Sequence, residues 1–156
     1  MQITSFPAAS RDAQLIIARL DRSLMERYTA SDIHGIDGEE FDAAGGHFLI
    51  CSVDDRHVGC GAFRPIGGSI AEVKRMFVEN AYRGRGIATA ILAHLEAEMK
   101  RRGFETSVLE TGVRQFEAIA LYRKSGYFPI PRFGPYVECE LSLCFAKGLG
   151  ESDGVG

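Results

Sequence analysis

The segment Tyr82-Arg83-Gly84-Arg85-Gly86-Ile87-Ala88-Thr89 sets two glycines and two arginines just ahead of an apolar run with helical spacing. The first turn of a helix has backbone N–H groups without partners inside the helix, and its dipole adds partial positive charge there. Glycine lets the main chain approach a ligand closely and arginine adds full charge. The segment therefore suits an anion, most naturally a pyrophosphate. A dinucleotide fingerprint G-x-G-x-x-G/A needs glycine or alanine where Thr89 stands, and the P-loop pattern G-x-x-x-x-G-K-[ST] is absent. Taken alone, the pattern is equally a glycine-rich helix entry with solvated arginines. Cys51, Cys60, Cys139 and Cys144 form no C-x-x-C pair and match no histidine spacing, so neither a metal site nor a disulfide framework is expected.

The elements that must position this segment follow from the apolar periodicity. Residues 1–6 read as a strand, and 11–28 as an amphipathic helix carrying Leu15, Ile16, Leu20, Leu24 and Met25. The polar, glycine-rich stretch 29–46 holds a short helix over 37–43. Residues 47–53, a turn at 54–56 and residues 57–65 read as a hairpin, followed by a turn at 66–68 and a strand over 69–78. From about residue 85, Ile87, Ala88, Ile91, Leu92, Leu95 and Met99 share one helix face, closed by Lys100, Arg101, Arg102 and Gly103. A strand over 104–110, a helix over 115–125 and two closing strands at 127–128 and 137–147 complete the pattern. This predicts one α/β domain over 1–147, with a central mixed, mostly antiparallel sheet flanked by helices. A flexible tail is expected over 148–156.

The 156 residues suit a single domain, and 46% apolar with 25% charged residues is ordinary for a soluble globular chain. A net charge of −3 gives no electrostatic reason to expect nucleic acid or an anionic membrane as partner. No stretch approaches the ~18 apolar residues needed to span a bilayer. The opening MQITSFPAAS lacks the basic start and apolar run of a secretory signal, so a cytoplasmic location is expected.

The arrangement Arg83-x-x-Gly86-x-Ala88 resembles the [QR]-x-x-G-x-[GA] motif of the GNAT superfamily of N-acetyltransferases. Gln115-Phe116-Glu117-Ala118-Ile119-Ala120-Leu121-Tyr122, followed by Gly126-Tyr127, is similar to that superfamily's N-x-x-A-x-x-L-Y-x-x-x-G-[FY] helix, with Gln115 in place of the usual asparagine. The element order agrees, and the resemblance covers residues 45–147 well and the first 45 poorly. It implies a GNAT-like fold and an enzyme that moves acetyl from acetyl-CoA to an amine by direct attack through a tetrahedral intermediate. Acetyl-CoA is the cosubstrate and no metal takes part. The coenzyme is then expected on the backbone at Met76, Phe77 and Val78, on Arg83, Gly84, Arg85, Gly86, Ile87, Ala88 and Thr89, and at Gln115.

The resemblance also implies residue roles. Tyr122 matches the tyrosine that protonates the leaving thiolate, chemistry that a phenol can perform in an enclosed site. Glu72 stands where several relatives carry a catalytic glutamate. Glu110 ends the next strand as base or substrate anchor, and His34 is a remoter base. Arg75 is placed toward a substrate carboxylate and Tyr136 as a residue closing the pocket. The implied acceptor is a primary amine of a small metabolite. A protein lysine or chain terminus is the alternative, and a non-catalytic acyl-CoA sensor is a reading of another class. A homodimer through the last strands is compatible with the pattern.

Overall fold

Alternation along the strands governs the architecture seen in a computed structural model, which describes residues 1–150. Seven strands form one sheet: β1 (Gln2–Phe6), β2 (His47–Val53), β3 (Arg56–Gly67), β4 (Ile70–Val78), β5 (Thr106–Gly112), β6 (Phe128–Ile130) and β7 (Ser142–Gly148). Their spatial order is β1-β2-β3-β4-β5-β7-β6, and every pairing is antiparallel except β4 with β5. Helices α1 (Arg11–Leu24), α2 (Gly38–Ala43), α3 (Ile87–Arg101) and α4 (Phe116–Lys124) flank it. Strand β2 is apolar on both faces because both are covered. Phe48 and Ile50 meet Ala13 and Ile16 of α1 and Phe41 of α2, while Leu49 and Cys51 lie in the core formed with Ile91, Leu95 and Met99 of α3. No helix among the described residues is long and apolar enough to cross a membrane.

One irregularity in β4 shapes everything around it. Ala62 of β3 pairs with Lys74 and Cys60 pairs with Phe77, so Arg75 and Met76 together oppose Gly61. This is a β-bulge, and Arg75 takes φ 59°, in the left-handed region. The Cys60 thiol donates to the Arg75 carbonyl at 3.2 Å. The extra residue inverts the phase of the strand. Lys74 shares the α1 face with Ala62; beyond the bulge Phe77 takes that face, and Met76 packs into the α3 core.

The parallel ladder between β4 and β5 then ends early. It runs from Ile70↔Thr106 to Val73↔Leu109, although β4 continues to Val78 and β5 to Gly112. The strands splay apart from Lys74 and Glu110 onward.

Several boundaries differ from the expected ones. Helix α1 stops at Leu24 rather than 28, because the N–H groups of Arg27 and Tyr28 both turn back to the Leu24 carbonyl. The expected strand over 137–147 begins only at Ser142. Successive tight turns, Tyr136 N–H to the Phe133 carbonyl and Cys139 N–H to the Tyr136 carbonyl, keep 133–141 out of the sheet. Helix α3 starts at Ile87, since Gly86 holds the non-helical cap position. In the segment read as a tail, Gly148 closes β7 and Leu149 is buried, with its N–H on the Glu105 carbonyl. Residues 151–156 lie outside the described part of the chain.

Candidate active site

The anion-binding segment connects the end of β4 to α3. Gly84 and Gly86 take φ 78° and 80°, conformations that cost an L-residue with a side chain about 1–2 kcal/mol. Ala90 is the first α3 residue bonded within the helix, to the Gly86 carbonyl, which leaves the N–H groups of Ile87, Ala88 and Thr89 at the exposed end. Arg83 anchors this loop by donating from Nε to the Val78 carbonyl at 3.0 Å. Arg85 instead lays its guanidinium over the Tyr82 ring, 5.0 Å from the centroid, and lies outside the groove wall.

A groove of about 440 Å³ runs from this helix entrance along the free edge of β4. Met76, Phe77, Val78, Arg83, Gly84 and Gly86 line one side, continued by Ile87, Ala88 and Thr89. Gln115, Ala118 and Leu121, at the start of α4, line the other. Arg27 spans the groove from the end of α1, donating to the Arg114 carbonyl at 2.9 Å and to Gln115 Oε1 at 2.9 Å. Unpaired main-chain groups on β4 and a helix entrance at the far end fit an extended chain carrying amides and a diphosphate. They fit the pantetheine arm and pyrophosphate of acetyl-CoA.

The groove opens at the splay into a second cavity of about 110 Å³, and Leu20, Met76, Gln115 and Ala118 are common to both walls. Tyr122 lies on its wall, 4% exposed, and its hydroxyl makes no hydrogen bond among the described residues. Burial, reinforced by the charge of Glu110, pushes that phenol well above its ordinary range, so it stays protonated at neutral pH. Glu110 also lines the cavity and accepts a hydrogen bond from Ser142 Oγ at 2.6 Å. Burial raises its pKa, partly offset by Ser142, His34 and Lys74.

Two segments remote in sequence close the cavity. From the N-terminal side come Tyr28, Ile33 and His34; from the loop before β7 come Tyr136 and Leu141. The Tyr28 hydroxyl accepts the Arg114 N–H at 2.7 Å and lies where a side chain at Gly112 would sit, since a Cβ there would be 2.0 Å from it. Tyr136 is 1% exposed; it accepts from Lys74 Nζ at 2.9 Å and donates to Glu72 Oε2 at 2.6 Å. Burial lowers the pKa of Lys74, with Glu72 acting in the opposite sense.

The fold thus brings Tyr122, Glu110, Arg75 and Tyr136 to one cavity and Gln115 to its junction with the groove. It does not bring Glu72 there. That carboxylate lies beneath Tyr136, with its other oxygen taken by Arg64 Nε at 3.2 Å, and it reaches neither cavity. Sequence reasoning missed Lys74 and Tyr28. The Glu72-x-Lys74 alternation, two charges on one face of an apolar strand, was the available signal for Lys74; Tyr28 gave none. Among the described residues, no group of three or more His, Cys, Asp or Glu side chains could hold a metal ion.

Comparisons with known proteins agree with this geometry. Residues 17–127 match the Acetyltransferase (GNAT) family. The chain is 39% identical over 135 residues to an IAA acetyltransferase of Azospirillum brasilense, covering 86% of this chain and 88% of the relative. A solved structure from Klebsiella pneumoniae subsp. pneumoniae, assigned as an acyl-CoA N-acyltransferase, superposes with a TM-score of 0.81 at 30% identity, covering 96% of this chain and 97% of the other. An aminoglycoside 6′-N-acetyltransferase complexed with coenzyme A shares the fold, with a TM-score of 0.71 at 21% identity and coverage of 96% and 98%. The chain belongs to the GNAT family and is an N-acetyltransferase that uses acetyl-CoA.

Proposed function

We propose that the chain acetylates the primary amine of a small metabolite. The observation that carries this reading is the small concave cavity of about 110 Å³ at the β4–β5 splay, walled by Tyr28, His34 and Tyr136 and sharing Leu20, Met76, Gln115 and Ala118 with the coenzyme groove. A protein acceptor calls for a long open channel, whereas a concave pocket of this size suits a small molecule. Acetyl-CoA, when bound, supplies an acyl group activated as a thioester. Residues 76–78 line the groove on the edge of β4 that the splay leaves unpaired, and a main-chain N–H on that edge is the donor type that stabilises a developing oxyanion. Glu110, placed where the splay begins, takes the proton of the incoming ammonium on its carboxylate, and burial makes it a stronger base than a solvated glutamate. Tyr122 keeps a proton on its unpartnered hydroxyl for the departing thiolate. The roles of Glu110 and Tyr122 rest on their sharing one cavity; Glu72 is assigned to holding Tyr136 and Lys74 in place.

The test is an amine panel that follows free-thiol release, with Tyr122→Phe as control. The expected outcome is turnover of at least one small amine, reduced about 100-fold or more in Tyr122→Phe, with acetyl-CoA binding retained in calorimetry. Turnover only with peptide or protein acceptors, or coenzyme binding without turnover of any amine, would overturn the proposal.

A further inference from the structure

Deepening the small-amine reading, on which it rests, the geometry points to an acceptor that carries a carboxylate besides its amine, an amino-acid-like zwitterion whose anion is held by Arg75 and His34 beside Lys74. Among the described residues, two side-chain nitrogens shut off from solvent have no hydrogen-bond partner, Arg75 Nε and His34 Nε2. Both residues belong to the wall of the acceptor cavity. Buried polar groups are nearly always paired in native proteins, so two orphans on residues of one cavity wall mark groups kept for a ligand.

Arg75 is 7% exposed, and its Nη2 is engaged by Asp21 of α1. Its unpartnered Nε–H belongs to a rigid planar fork whose geometry matches a carboxylate. The bulge carries this residue: a regular strand would not give position 75 its φ of 59°. His34 is held with its ring edge-on to Tyr136, centroids 4.8 Å apart, which fixes where Nε2 lies.

The charges of the cavity divide the same way. Arg75 is balanced by Asp21 and Glu72 by Arg64. Lys74 has a neutral phenol as its hydrogen-bond partner and forms no ion pair among the described residues. On the opposite strand Glu110 occupies the matching position at the start of the splay, and Asp32 on the wall accepts the Thr29 hydroxyl at 2.7 Å. A carboxylate placed at Arg75 and at His34, with the imidazole proton on Nε2, satisfies both orphan nitrogens and offsets Lys74, while the amine of the same molecule meets Glu110. A carboxamide brings an N–H group and no charge to the same place.

The experiment compares α- and β-amino acids with their matched carboxamides, using the full chain. It reads kcat/KM from thiol release and the Arg75 Nε–H resonance in ¹H–¹⁵N spectra. At least one acid is expected to exceed its carboxamide by tenfold or more, and to move the Arg75 resonance where the carboxamide does not. Arg75→Gln is expected to bring the two within about threefold. Should loss of the Asp21 partner unfold that variant, His34→Leu is expected to lower the preference about tenfold with acetyl-CoA affinity unchanged. Equal use of acids and carboxamides, or an Arg75 resonance that acids leave unmoved, overturns the inference while the small-amine reading stands. Acids that shift the resonance but are never acetylated leave the anion subsite in place and sink the transfer reading instead.

Discussion

A carboxyl group drawn largely out of solvent has its titration moved, and Glu110 shows the consequences for both rate and stability. Burial raises its folded-state pKa above the ordinary glutamate value of about 4.3. As a base it must be ionised, so kcat/KM is expected to climb as pH rises through that raised value and then level off. Glu110→Gln should lower kcat/KM about 100-fold and abolish that limb of the pH–rate profile. Stability runs in the other direction. A group whose folded pKa is raised contributes stability below its unfolded value and loses it as pH rises through the folded one. Thermal melts should therefore show wild type losing ground to Glu110→Gln across the same interval. A profile unchanged by the substitution would remove Glu110 from the proton path.

Elements place these residues, and the helix entrance is the clearest case. Gly86 caps α3 at φ 80° with open space where a Cβ would stand, so Gly86→Ala strains the backbone without a clash. The expected cost is about 1–2 kcal/mol, read as a lower Tm, together with weaker acetyl-CoA binding in calorimetry because the first-turn amides shift. The entrance and α4 were legible in the sequence because their signals are local: two glycines at fixed offsets, then an apolar stripe. The bulge at Arg75 and Met76 was not, since it depends on which residues of β3 lie opposite. Glu72 illustrates the same limit. Its place on β4 could be read, but a loop more than sixty residues away covers it with Tyr136. Segment 29–36 gave no periodicity to reason from, and residues 137–141 read as the start of a strand that tight turns keep out of the sheet; segments 29–36 and 133–141 supply His34 and Tyr136 to the cavity.

At the scale of the whole molecule, the catalytic apparatus sits on a seam. The β1–β4 half and the β5–β7–β6 half share a ladder of four residue pairs, then part where the groove and the proposed acceptor cavity meet. Cys60 lies in the wall just behind that seam, fully buried, its thiol spent on the Arg75 carbonyl and its pKa pushed up by burial to about 12. Such a sulfur is closed to alkylating reagents while the strand crossing is intact. Its modification becomes a clock that ticks only when the bulge lifts away from β3. Iodoacetamide labelling of Cys60, followed by mass spectrometry, should be far slower than that of the partly exposed Cys139 and should slow further when acetyl-CoA is added.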